Sequence, residues 1–441
     1  MDSRKSRLWR ERGKTFLILL LTLSALYLIC QFGRFQGLRL FQDGGSGGSA
    51  GVITEEQDSS GREGVLTLWP VRMVLQGGDG RYGVQYSQSG IRELFESTFG
   101  NLLREALNTA GQPEPITEEQ WRQRLTGEGV WAYYDFVRPL PLGEISVWLK
   151  NTERRPDLDW NVRQFLLTED GGQRQLLCQN EDSGQYYRFS LPEGGGEPLS
   201  YLVGSYAPNG AVFAFEQPEV FGTLAPDTLI LKEPPTMTAY GVSNPLGGLT
   251  EGDMDELLRA LSFNPKIVSR TPVADGQRFQ EGLDSLGLTQ EGTITYHSRQ
   301  GGTNRYPVEE MTAGALVERS RELLSQVIEE RLGDGTYHLR SVSVEEDGKQ
   351  VEVFFEYWLD GTPVQVFQEG WAARFTFTEG ELLDFTIHVR QYTRTETASP
   401  VLPEVQAAAA MPRLLQEGRE LLLCYTDRGD AGQVLTQWTA Y

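Results

Sequence analysis

Residues Thr15 to Phe32, TFLILLLTLSALYLICQF, form an eighteen-residue run without a charged side chain. At the α-helical rise this run is about 27 Å long, close to the hydrocarbon thickness of a bilayer. The expectation is a single transmembrane helix over residues 15–35. Its apolar anchor would be Phe16, Leu17, Ile18, Leu19, Leu20, Leu21, Leu23, Leu26, Leu28 and Ile29. Small and polar residues within such a helix commonly face another helix, so Thr22, Ser24, Tyr27 and Gln31 are the positions expected to touch a partner in the membrane. The preceding tail, residues 1–14, carries six Lys/Arg against Asp2 and Glu11, and only Arg34 and Arg39 follow closely. That asymmetry places the N-terminus in the cytoplasm and the bulk of the chain outside the cell membrane. A cleaved signal peptide is the alternative. The run is long for one, and Gly33-Arg34-Phe35-Gln36 offers no small-x-small cleavage site. Cys30 lacks the small-residue context of a lipidated cysteine.

The 441 residues leave room for two or three extracytoplasmic domains. Of the formal net charge of −21, residues 1–41 contribute +6 (eight Lys/Arg, two Asp/Glu), which leaves −27 on the remainder. So acidic a region is unsuited to nucleic acid or to lying on an anionic lipid surface. Outside the anchor only Cys178 and Cys424 occur. They permit one disulfide but do not make a disulfide scaffold, and with three His they supply a zinc site poorly.

Residues 36–62 read as a flexible Gly/Ser-rich and acidic linker. Folded material is expected from 63 onward, divided as 63–235, 236–305 and 306–441. The first part opens on a strand over Val65–Gln76, a Gly77–Gly80 turn and a return strand over Tyr82–Tyr86. Ile91, Leu94, Phe95, Phe99, Leu102, Leu103, Ala106, Leu107 and Ala110 recur at helical spacing. Thr117-Glu118-Glu119-Gln120 has the form of a capping box opening a second helix. VWAYYDFV, GEISVWL, QFLLTED, QRQLLCQ, QYYRFSL and AVFAFEQ then read as strands of an antiparallel sheet. In the middle part Thr250 caps a helix with Leu257, Leu258 and Leu261 on its apolar face. KIVSRTPV and GTITYHSR follow as strands with a Gly-rich turn between them. The last part has a helix from Ala313 to about Ile328 with Gly333 at its stop, a four-strand meander, a short Ala-rich helix over 403–411 and two closing strands. The fold class expected is α+β, antiparallel sheets each packed with helices.

Several constellations suggest chemistry. Gly78-Asp79-Gly80-Arg81-Tyr82-Gly83 matches G-x-G-x-x-G, but no helix follows to meet a pyrophosphate, so a hairpin turn is expected. Gly44-Gly45-Ser46-Gly47-Gly48 matches the G-x-S-x-G elbow inside the linker, without the strand that elbow needs. His297, His338 and His388 allow an acid–base or metal set with Asp384 or Glu352, though none has a neighbour at ligand spacing. Asp253, Asp255 and Glu256 sit at a helix start, where carboxylates complement the helix dipole. Trp131, Tyr133, Tyr134 and Phe136 lie in one strand. One face is expected in the core, and the other could be a partner surface or carbohydrate platform. No catalytic, cofactor or metal site is assigned from these.

The segments Ile294–Tyr296, VEVFFEYWLDGTPVQVF, ARFTFTEGELLDFTIHVRQY, LPEVQAAAAM and LLLCY followed by VLTQW together resemble the C-terminal part of the YycH family and its relative YycI. The basic tail, single apolar helix and region opening on a strand and long helix are similar to that family too. The Gly/Ser run at 42–51 is a departure, and it weakens any picture of an ectodomain seated rigidly on the membrane. The resemblance implies a single-pass, non-enzymatic regulator of Gram-positive bacteria. Its partners would be a WalK (YycG) sensor kinase, which governs cell-wall metabolism, and a YycI-like protein. Two other readings remain open at this point: a binding module for wall polymer or a secreted protein, and a wall hydrolase.

Overall fold

The computed structural model describes residues 68–149, 157–158, 160–192, 197–299, 304–345, 349–411, 418–429 and 432–441. The basic tail, the anchor with Phe16 to Gln31, and the linker lie outside the described residues. Among the described residues no helix is long and apolar enough to cross a membrane.

The first sheet is built from β1 (Arg72–Gly77), β2 (Gly80–Gln85), β3 (Glu114–Ile116), β4 (Val130–Pro141), β5 (Asn161–Asp170), β6 (Gln173–Gln179) and β7 (Tyr186–Ser190). Their order is β2-β1-β4-β5-β6-β7-β3, and each pairing is antiparallel. Gly77 pairs with Gly80 around the expected hairpin turn, so the glycine-rich motif is followed by a strand. The first strand begins at Arg72 rather than Val65, two residues after Pro70, which has no N–H for a ladder. The long helix is Gln88–Leu94, a π turn over Phe95–Phe99, and Gly100–Thr109. Gly100 closes the π turn by donating its N–H to the Phe95 carbonyl, and a Cβ there would lie 2.5 Å from that oxygen.

Two elements depart from the sequence expectation. GEISVWL is a helix, Leu142–Trp148. Its Ile145, Val147 and Leu149 alternate as in a strand, yet Leu142, Ile145, Trp148 and Leu149 recur at i, i+3, i+6 and i+7, and all four are buried. AVFAFEQ yields only the pair β8 (Val212–Phe213) with β9 (Leu229–Ile230), then a 3₁₀ turn over Ala214–Glu216. Glu216 accepts from the Phe213 N–H and so fixes that turn.

β10 (Met237–Ser243) lies between β20 (Gln391–Ser399) and β22 (Gly432–Val434) in a three-stranded sheet. The largest sheet begins with β11 (Ser269–Val273), β12 (Gly276–Glu281), β13 (Asp284–Thr289) and β14 (Thr293–Ser298). It continues through β19 (Glu381–His388), β18 (Ala373–Thr378), β16 (Gln350–Leu359), β17 (Thr362–Val366), β21 (Leu421–Asp427) and β23 (Thr436–Ala440), with β15 (Thr336–Val344) also on β16. β12 and β13 occupy much of the stretch read as a Gly-rich turn. Their inward residues Phe279, Leu286 and Leu288 are spaced by a tight Gly282 turn. β14 pairs with β19 from Thr293↔His388 to His297↔Asp384, so the sheet runs across the expected boundary at 305. Residues 63–441 form one compact unit.

One face of this sheet carries Ile294, Tyr296, Phe375, Phe385 and Ile387. The helix Ala313–Ile328 contributes Leu316, Val317, Leu323, Leu324, Val327 and Ile328 to the same core. Burying side chains of this kind is worth roughly 1.5–3 kcal/mol each. Beyond this helix Gly333 adopts φ +67°, and a Cβ there would lie 2.2 Å from the Tyr392 carbonyl oxygen. Gly333→Ala is therefore expected to lower stability by about 2–3 kcal/mol, read from denaturant midpoints. A loss below about 0.5 kcal/mol would show that neither the left-handed backbone nor the close strand constrains this position.

Candidate functional site

The sequence constellations resolve into structural roles. Thr250 and Asp253 complete a reciprocal capping box, whose hydrogen bonds hold the Asp253 carboxyl below the usual range. Asp255 pairs with Arg270, and Arg259 stands 3.7 Å away. Trp131, Tyr133, Tyr134 and Phe136 are all buried. Tyr134 and Phe136 face the long helix, while Trp131 and Tyr133 pack with Trp121 and Phe213 on the other face. The strand therefore offers no exposed aromatic platform, because both of its faces are covered. Cys178 and Cys424 are both free and buried.

The three histidines do not converge. His297 Nδ1 and Asp384 Oδ1 are 2.6 Å apart on adjacent strands, exposed on the outer face of the large sheet. His338 stacks on Trp358 with ring centroids 4.1 Å apart, and burial pushes its imidazole down to about 4. His388 lies 5.0 Å from the Trp371 ring with Nδ1 3.0 Å from Thr293 Oγ1, and burial lowers it likewise to about 4. Both are neutral near pH 7. Among the described residues no group of three or more His, Cys, Asp or Glu side chains is placed to hold a metal ion.

The strongest electrostatics lie inside the protein. Arg72, on the buried strand β1, donates Nη1 to Asp135 Oδ2 at 3.2 Å and to Glu420 Oε2 at 2.5 Å, and Nη2 to the Tyr86 hydroxyl at 3.1 Å. Arg163 joins the set through Glu420 and stands 3.5 Å from Asp135. Burial alone would raise Glu420, but Arg163 and Arg72 outweigh it and hold the carboxyl at about 2. Two guanidiniums thus meet two carboxylates away from water, as a buried cluster must to offset desolvation. A second link joins β4 to the large sheet. Arg138 bonds Glu356 at 2.9 Å, and its guanidinium lies 4.0 Å over the Tyr441 ring. A third lies within the C-terminal region, where Arg390 grips Asp427 in a fork at 2.8 and 2.9 Å. The first two sets clamp the first sheet to the C-terminal strands.

The clefts on the surface of the described residues include two of several hundred Å³. The larger, of about 410 Å³, is lined by Leu68, Trp69, Phe95, Trp148 and Leu149, with Arg92 and Arg104 among its polar residues. It lies where the described chain begins, and Arg92 is 5.7 Å from the Trp69 ring. The smaller, of about 310 Å³, lies between the helix Glu118–Thr126 and the first sheet. Neither was apparent in the sequence. The signal for the buried clusters was present, however, as charges inside apolar strands: Arg72 in VRMVLQ and Asp135 in WAYYDFV.

No family model and no curated protein matches the chain. Among solved structures it is similar to YycH from Bacillus subtilis at 10% identity and a TM-score of 0.53, over 85% of this chain and 93% of that one. The dehydratase domain from the CurF module of curacin polyketide synthase aligns at 9% identity over 54% of this chain and 69% of that one. Its TM-score of 0.11 carries no structural argument. The likeness to YycH is one of fold, and the described residues, with their helices and with sheets antiparallel but for the β17–β21 pair, have a YycH-like fold.

Proposed function

We propose that this protein is a non-enzymatic regulator of a two-component sensor kinase of the WalK/YycG type, held at the cell membrane by residues 15–35 and acting outside the cell. The observation that carries the reading is the YycH-like fold, which extends over 85% of the chain. The apolar run Thr15–Phe32 and its basic flank support the anchor and its orientation. To act, the protein must bind one state of the kinase more tightly than the other, since equal affinity shifts no equilibrium. The contacts we assign are Thr22, Ser24, Tyr27 and Gln31 in the anchor and the C-terminal α+β region, together with a YycI-like second protein.

The test is retrieval from native membranes in detergent. Full-length protein is compared with a version whose Leu17–Ile29 run is replaced by an unrelated polyleucine sequence. Recovery of a sensor kinase and a small single-pass protein by the first alone locates specificity in the anchor. Recovery by both locates it in the ectodomain. Recovery by neither overturns the reading.

A further inference from the structure

The smaller cleft is built from four elements of the first sheet and its flanking helix. Gln120, Gln123 and Arg124 share one face of the helix Glu118–Thr126 at i, i+3 and i+4, opposite the buried Trp121 and Leu125. Across from them stand Gln175 and Leu177 of β6 and Arg188 of β7, the last two directly paired in register. Ile116, on the short strand β3, contributes further apolar surface.

Two buried polar atoms in this lining are unmatched. Gln175 Oε1 is an acceptor without a donor, and Arg188 Nε is a donor without an acceptor. Buried polar groups are otherwise almost always paired. A group that offers both an N–H and a C=O, as an amide does, satisfies both. The two guanidiniums are held only weakly. Arg124 stands 3.6 Å from Asp170, with side chains 42% and 77% exposed, and Arg188 pairs with Glu114, with side chains 36% and 54% exposed. Exposed pairs of this kind contribute little, so a ligand carboxylate can replace Asp170 or Glu114 at small cost. The volume of about 310 Å³ is at the lower end for ligand sites.

We infer that this cleft binds a short peptide of two or three residues, its free C-terminal carboxylate between Arg124 and Arg188 and its backbone amide against Gln175 and the Arg188 Nε–H. The inference goes beyond the kinase reading and does not depend on it, because binding is measured on the purified protein with no kinase present.

The experiment is calorimetric titration of the full-length protein in detergent micelles with tri-alanine, tri-alanine amide and acetate. Tri-alanine is expected to bind, and amidation to weaken it roughly ten- to a hundredfold, the range for losing a hydrogen bond to a charged group. Arg124→Gln, at an exposed position, is expected to weaken tri-alanine to the same degree. Gln175→Leu should weaken tri-alanine while leaving acetate unchanged. Absence of tri-alanine binding at roughly 10 mM, beyond the millimolar edge of specific affinity, overturns the inference. So does equal binding of tri-alanine and its amide, and so does acetate binding as tightly as tri-alanine, which would mark a bare anion site. If Gln175→Leu does not fold, the comparison of the three probes and Arg124→Gln decides alone.

Discussion

Arg72→Met is expected to destabilise the protein by about 3–5 kcal/mol, enough to unfold a large fraction of a marginally stable chain. The substitution keeps the volume of the side chain but removes one of the two guanidiniums that face Asp135 and Glu420, the one at 3.2 and 2.5 Å, and leaves Arg163 alone against both carboxyls. Tyr86 loses its Nη2 donor in the same step, and so does the Leu421 carbonyl. The penalty is that of uncompensated buried carboxylate and not the worth of one ion pair. Adding Glu420→Gln to Arg72→Met should therefore recover part of the loss, although Arg163 then gives up one of its two carboxylate partners and keeps Asp135. Denaturant midpoints of the two single variants and the double variant measure this. A cost below about 1 kcal/mol for Arg72→Met would show that water reaches the cluster.

Glu404→Gln is expected to do the reverse, stabilising the protein at alkaline pH. Glu404 opens the helix Glu404–Ala410 and is buried. Gln85 Nε2 lies 2.6 Å from its Oε1, and the Leu231 N–H donates to Oε2. Burial pushes the carboxyl up to about 7 despite these donors and the nearby Arg72. A carboxyl raised in the folded state keeps its proton where the unfolded chain has lost it. Its contribution is most favourable below the unfolded value of 4.5 and falls as pH rises toward 7, by about 3 kcal/mol in all. The amide does not titrate. With the Gln85 amide turned over, the introduced NH2 donates to Gln85 Oε1, now a buried acceptor without a partner, while the introduced amide's oxygen keeps the Leu231 N–H. The two proteins should differ little at pH 4.5, and the variant should gain steadily up to pH 8. His338 and His388, whose lowered values cost stability as pH falls from 6.5 toward 4, are common to both and cancel in the difference. A constant difference across this range would show that Glu404 is hydrated in the folded state.

The sequence was most legible where pattern and environment are local. The capping box at Thr117, the cap at Thr250, the helix from Ala313 to Ile328 and its Gly333 stop follow from side chains a few residues apart, and each stands where the spacing put it. Leu142–Trp148 misled because seven residues satisfy a period of two and a period near 3.6 equally well, and packing against the long helix decided between them. β12 and β13 were hidden by polar residues on the outer face of a sheet covered on one side only, where Arg278 and Gln280 are exposed. The clefts and the charge clusters were out of reach for a different reason. Arg124 and Arg188, like Arg72 and Glu420, meet only after the strand order β2-β1-β4-β5-β6-β7-β3 and the packing of the start of β21, a strand of the large sheet, against β1 are known. An arginine in an apolar strand announces a partner but does not name it.

The pairing of Arg72 with Glu420 also sets a timetable. The acceptor follows the donor by 348 positions. At the usual pace of synthesis that separation is roughly 20–70 s, during which β1 through β7 have already emerged. Once Asp135 has followed, 63 positions after Arg72, the guanidinium of Arg72 has that carboxyl but not Glu420 for the rest of the interval, and Arg163 also lacks it. The first strand of the described fold is thus among the last to be sealed. A nascent or truncated product ending before residue 420 would carry a half-neutralised cation cluster, an opening through which water, a chaperone or a protease can tell unfinished molecules from finished ones.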